Sequence, residues 1–199
     1  MKSNVCKIEN GVRDLDAILK ESERVAAYNG FTHKQTLQLR LLCEELDGML
    51  PNIIENFEGD LWIDYEDGVC KVNVSIKIPA FDTGKKSELI DLAKNKKNAA
   101  AVGIVGKIRN AIENFFLDED FKTALALSSQ GLSMVTTYSN GVDYTYLWRL
   151  EQYRDSLKAE AKEEDWDELE KSVIAAVADD VIVGVKGKQA DIVIVKKFA

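Results

Sequence analysis

The sequence predicts an α+β fold: a two-layer α/β sandwich whose mixed or antiparallel sheet carries its helices on one face. Three observations carry that expectation. Apolar residues recur at helical spacing before and after a central segment, the central segment alternates apolar and polar residues, and a second alternating segment closes the chain. At 199 residues, with 46% hydrophobic and 30% charged residues, there is enough apolar material for one sizeable core. We therefore expect a single domain over residues 1–199, with residues 117–160 as a variable insertion or elaboration within it.

The first helix is expected over residues 13 to 28, where Leu15, Ile18, Leu19 and Val25 share a face before Asn29-Gly30 stops it. Thr32 is placed to cap a second helix, whose stripe is Leu39, Leu42, Cys43, Leu46, Met49 and Leu50, with Pro51 in its last turn or at a break. Next, DLWIDYEDGVCKVNVSIKI holds two alternating runs around Asp67-Gly68, a preferred tight-turn pair. In its second run Val72, Val74, Ile76 and Ile78 point one way, while Lys71, Asn73, Ser75 and Lys77 point to the wet side.

After Pro79 comes a loop around Asp82-Thr83-Gly84, then a helix from Ser87 to Lys94 and a further helix in AAAVGIVGKIRNAI, residues 99 to 112. There Ile104, Ile108 and Ile112 define the docking face, with Gly103, Gly106 and Asn110 on another side. Residues 121 to 146 read as short strands around a turn at Asn140-Gly141, and Tyr146 to Leu157 as a helix. Asp165 with Glu168 has the spacing of a capping box for a helix carrying Leu169, Val173 and Val177. DDVIVGVKGKQADIVIVKKF reads as a terminal hairpin turning near Gly187.

The net charge of −8, from 34 acidic and 26 basic residues, argues against a protein that coats nucleic acid. MKSNVCKIENG lacks the pattern of a secretory signal and no apolar run is long enough for a bilayer, so a cytoplasmic protein without a membrane role is expected. Cys6, Cys43 and Cys70 include no CxxC pair, and Cys43 and Cys70 lie in apolar patterns as small core residues. His33 is the lone histidine, with no partner for a catalytic triad.

On the second helix Glu44, Gly48 and Asn52 fall at i, i+4 and i+8, on a polar face where oxygen ligands could meet Mg²⁺. The simpler reading makes Glu44, Glu45 and Asp47 the wet side of an amphipathic helix. Asp82 could accept a hydrogen bond from an exocyclic amine, and Asp-x-Gly is also ordinary turn chemistry.

The order of these pieces resembles the GHKL ATP-binding fold of histidine kinase ATPase domains, gyrase, MutL and the anti-sigma-factor serine kinases. CEELDGMLPN, residues 43 to 52, is similar to its N box; FDTG, residues 81 to 84, to its G1 box; VGIVGKI, residues 102 to 108, to its G2 box. The likeness spans roughly residues 10 to 116 and resumes in the closing strands. It implies ATP or ADP with Mg²⁺, Glu44 as the group that activates water, and Asp82 as the adenine reader. Gly84, Gly103, Gly106 and Lys107 would border the nucleotide, and Asn52 would serve as a metal ligand.

The sequence departs from the pattern at three places. The N-box asparagine falls on Gly48, the second G1 glycine on Lys86, and the G2 segment has few glycines. Losing the metal ligand removes the group that fixes phosphates for in-line attack. The resemblance thus implies a degenerate member acting as a regulatory or protein-interaction module, with another protein or a second copy as its partner. An active ATPase or anti-sigma-type serine kinase, and an α/β domain with no nucleotide role, are the alternatives.

Overall fold

The computed structural model describes residues 1–10, 14–54, 56–77, 103–117, 132–133, 137–139, 142–144, 146–160, 163–186 and 188–198. Strand β1 (Cys6–Glu9) is followed by helices α1 (Leu15–Tyr28) and α2 (His33–Ile53) and by the hairpin β2 (Glu58–Glu66) and β3 (Val69–Lys77). Helix α3 (Gly103–Leu117) precedes the short strands β4 (Leu132–Ser133), β5 (Thr137–Ser139), β6 (Val142–Tyr144) and β7 (Tyr146–Arg149). Helices α4 (Leu150–Glu160), α5 (Glu163–Glu170) and α6 (Val173–Val177) lead to the hairpin β8 (Asp180–Lys186) and β9 (Gln189–Lys197).

Among the described residues the main sheet has seven strands in the order β1-β2-β3-β9-β8-β7-β4. Every pair in it is antiparallel, which decides between the two expected sheet types. Both hairpins lie where alternation placed them. Asp67 and Gly68 both take positive φ, 49° and 79°, the backbone a two-residue turn between right-twisted strands demands. At the other end Lys186 pairs with Gln189.

Leu61, Ile63, Val74, Ile76, Ile192 and Ile194 face inward and are 0–1% exposed. They join the stripes of α1, α2 and α3 in one hydrophobic cluster, as a two-layer arrangement requires. The α2 stripe (Leu39, Leu42, Cys43, Leu46, Met49, Leu50) is buried throughout. Thr32 caps that helix in a reciprocal box: its hydroxyl accepts from Gln35 N, and the Gln35 amide oxygen accepts from Thr32 N.

Helix α2 continues through Pro51 to Ile53. An interior proline costs about 3 kcal/mol. Leu50 and Ile53, both buried, flank it, and burying each contributes about 1.5–3 kcal/mol, enough to hold the last turn.

Four expectations need correction. Tyr146–Arg149 is a strand and the helix begins only at Leu150, because the aromatic run pairs with β8 and the Asp180 carboxylate fixes the helix start by accepting from Glu151 N at 3.0 Å. Asp165 falls inside α5, so it is no N-cap. Val173 and Val177 belong to a separate helix capped by Ser172, whose hydroxyl accepts from Ala175 N. Asn73, expected on the wet side, is buried, donating to Asp64 Oδ2 and Lys71 O at 3.1 Å. Strand β1 was not anticipated: four residues are too few for alternation to register.

Gly48 is exposed, and a Cβ added there would meet nothing within 4 Å. Gly48→Ala should therefore stabilise the fold by about 0.5–1 kcal/mol, read as a raised urea midpoint with unchanged slope.

Candidate functional site

Glu44, Gly48 and Asn52 occupy one side of α2, away from its buried stripe, as their four-residue spacing dictates. Glu44 is 38% exposed at its side chain. Its Oε1 accepts from Arg40 Nε at 3.1 Å, and Arg40 Nη1 reaches Glu23 Oε1 on α1 at 2.6 Å. The Glu44 carboxylate is thus the end of a three-residue ionic chain running from α2 to α1. Asn52 is exposed and its amide points back along the helix, Nδ2 lying 3.5 Å from Gly48 O.

One carboxylate in this region was misjudged from sequence. Asp47 is 4% exposed and does not belong to the wet side of α2 with Glu44 and Glu45. Its spacing from Cys43 and Leu50, i−4 and i+3, was the available signal, since both are stripe residues.

Helix α3 packs against α2. It opens on Gly103 at φ 77°, so this glycine serves the chain's left-handed entry into the helix and is not interior to it. Ile104, Ile108 and Ile112 are 0–2% exposed and dock the helix. Gly106 is buried whereas Asn110 is exposed, so the side they were expected to share is not uniformly open. Lys107 places its amine 5.1 Å from the ring centroid of Tyr153, a residue of α4.

The structure therefore brings Glu44, Gly48 and Asn52 onto one helix and Gly103, Gly106 and Lys107 onto a second helix beside it. The contacts of Glu44 lead toward α1 and the ring contact of Lys107 leads toward α4. Asp82 and Gly84 lie outside the described residues, as does the expected helix from Ser87 to Lys94.

Whether these side chains fit a magnesium ion follows from helix geometry. Eight residues of α-helix separate Glu44 from Asn52 by about 12 Å along the axis, while Mg²⁺ takes its oxygen ligands at about 2.1 Å. An ion on Asn52 would not touch Glu44, and the intervening turn carries Gly48, which has no side chain to bridge them. The donor set around Glu44 does not fit a metal. Among the described residues no three His, Cys, Asp or Glu side chains are grouped to hold one.

Thiol chemistry is also poorly supported. Cys43 and Cys70 are buried, and burial pushes both thiols up, Cys70 to about 12. Partial burial, with Glu21 and Asp14 nearby, raises Cys6 too. All three are therefore expected to be neutral thiols near pH 7, poor nucleophiles and poor metal ligands.

This carries a pH consequence. A folded-state thiol raised from 9.0 to about 12 contributes stability that is complete below pH 9.0 and is lost as pH climbs toward 12. Equilibrium unfolding should show stability falling across that window, with a shallower fall in Cys70→Ala. In native protein at pH 8 a thiol reagent should label Cys6 first, with Cys43 and Cys70 reacting only on unfolding.

His33 is exposed at the first turn of α2. Among the described residues no helix is long and apolar enough to cross a membrane. Compared with protein-family models, curated proteins and solved structures, the chain matches none of them.

Proposed function

We propose that this protein is a degenerate GHKL-type module that works by regulation or protein interaction, retaining nucleotide binding and lacking turnover. The observation that carries the reading is Gly48. It stands one turn beyond Glu44 on the exposed side of α2, with open space over it. The side chain that would hold the metal in a competent relative is missing from a place with room for one. The packing of α2 against α3, with Gly103 at the head of α3, is compatible with a nucleotide bordered by both helices.

In this reading Glu44 and Asn52 line the phosphate side, Gly103, Gly106 and Lys107 border the nucleotide, and Asp82 with Gly84 reads the base. ATP or ADP is a ligand, and the output is contact with another protein or a second copy of this chain. Calorimetric titration of ADP and ATP with Mg²⁺ tests it, alongside phosphate release and sedimentation equilibrium. The expected result is nucleotide binding without hydrolysis, with affinity raised in Gly48→Asn. Mg²⁺-dependent hydrolysis that disappears in Glu44→Gln would overturn the claim of silence, and absence of binding at millimolar nucleotide would overturn the nucleotide role. The buried Gly106 favours one competing role, in which that glycine serves close packing within the core.

A further inference from the structure

We propose that β1 is a docking edge for a second copy of this chain, joined antiparallel so that the sheets of both copies run together across a twofold axis. This surface serves the second-copy partner of the reading above, rests on that part of it, and needs no nucleotide.

Among the described residues β1 is the outermost strand on its side of the main sheet. Its phase on β2 is fixed by Asn10 N, which donates to Phe57 O. Hydrogen-bonded pairs alternate along an antiparallel ladder, so Ile8 and Cys6 exchange bonds with Gly59 and Leu61. The main-chain N–H and C=O groups of Lys7 and Glu9 therefore point away from β2. Among the described residues nothing takes them up, and an open cleft borders Lys7, Ile8, Glu9 and Asp14. Such groups are a template for one more strand.

Charge selects the strand and its register. The free groups can meet with Lys7 on Lys7, with Glu9 on Glu9, or with Lys7 on Glu9. Either of the first arrangements sets like charges directly opposite one another, which is unfavourable. In the last, Ile8 faces Ile8 on the axis, and Lys7 and Glu9 of each copy meet Glu9 and Lys7 of the other. The single chain leaves Glu9 in need of such a neighbour, because β2 places Glu58 directly opposite it and both are exposed. Lys7 already pairs with Asp60 at 2.6 Å, yet its side chain is 84% exposed and open to a second carboxylate.

The chain before β1 limits the edge. Ser3 N donates to Ile63 O and Ser3 Oγ accepts from Ile63 N, so Asn4 and Val5 stand together against Trp62 in a bulge. A second strand meets a regular ladder only along Cys6–Glu9 and cannot slide onto the preceding segment.

Sedimentation equilibrium from about 10 µM to about 1 mM chain, with amide exchange at both ends of that range, tests the docking edge. The expected result is a reversible dimer whose Lys7 and Glu9 amides become protected at the higher concentration. Lys7→Glu and Glu9→Lys should each weaken association about tenfold, since either one turns both cross-axis pairs into like charges. Mixed together, the two variants should associate about as tightly as the unaltered chain, and the double variant Lys7→Glu/Glu9→Lys should again dimerise with itself. The mixture separates docking from mere loosening of β1, because a loosened strand is not repaired by its opposite. A monomer at about 1 mM overturns the second copy as occupant and leaves the edge to a strand of a different protein. A dimer that both single variants leave intact, or one whose protected amides lie elsewhere, overturns it too. ADP titration of the same samples keeps the readings apart: a dimer that binds no ADP overturns only the nucleotide role.

Discussion

Asp180→Ala should lower stability by about 3 kcal/mol, because one buried carboxylate fastens three parts of the fold. Asp180 opens β8 with its side chain 8% exposed. Its Oδ2 accepts from Arg149 Nε at 2.8 Å and Nη2 at 2.5 Å, at the end of β7. Its Oδ1 accepts from Glu151 N at 3.0 Å in the first turn of α4, and from Val181 N at 2.9 Å. Removing one member of a buried pair costs about 3–5 kcal/mol when the remaining charge is stranded. Arg149 is 36% exposed and recovers some hydration, but the helix also loses a cap worth about 1 kcal/mol. Urea unfolding of the variant checks the value. A loss under about 1 kcal/mol would mean that the strand-to-helix junction is held by packing alone. Asp180→Asn should recover part of the loss, since an amide oxygen can still accept from Glu151 N.

Gly59→Ala should cost about 2–3 kcal/mol, near the upper range for an overpacked site. A Cβ at this position would fall 2.3 Å from Ser75 O and 3.2 Å from Ile76 Cα. Both are backbone atoms of β3 and cannot move without shifting the ladder between β2 and β3. The cost arises from steric contact. Gly59 is not among the positive-φ glycines, so no left-handed backbone strain adds to that contact. Thermal and urea unfolding should agree on the loss, and amide exchange should speed most in β2 and β3. A neutral Gly59→Ala would show that the two strands slide past one another easily.

The contrast between these two sites and the helices explains what could be read in advance. Alternation over Leu61, Ile63, Val72, Val74 and Ile76 repeats often enough to set the inward row, and the Leu39-to-Leu50 stripe does the same for α2. Asp67-Gly68 and Thr32 act on their immediate neighbours, so their roles are visible locally. Asp180, Gly59 and Asn73 take their roles from residues distant in the chain: Arg149, Ser75 and Asp64. No periodicity reports such a partner. Tyr146–Arg149 was misjudged for the same reason, since its strand pairing with β8 outweighs a helical spacing of apolar residues.

The candidate site divides along similar lines. That Glu44, Gly48 and Asn52 share a side of α2 follows from helix geometry once the helix is granted. That Arg40 takes hold of Glu44 was available in principle from their i,i+4 spacing; the contribution of Glu23, from another helix, was not. The helix expected over residues 99 to 112 would hold Gly103 in its interior, where a glycine costs about 1 kcal/mol relative to alanine. Its positive φ at the first residue of α3 removes the puzzle, because a residue entering the helix pays no interior penalty.

The strand order has a consequence for how the chain acquires its shape. Strand β3 lies between β2, its hairpin partner, and β9, which arrives about 110 residues later. During synthesis the N-terminal part can assemble β1, β2 and β3, but Val72, Val74 and Ile76 then belong to an edge strand with its outer hydrogen-bonding groups unmet. The sheet is closed at its middle, not at its rim, and by a strand that follows the others described in chain order. A nascent chain halted before Gln189 therefore presents a long apolar edge, the form most open to pairing with another chain. Folding speed should accordingly be governed by delivery of the C-terminal hairpin to β3, and a circular permutant that begins at β8 would shorten that wait.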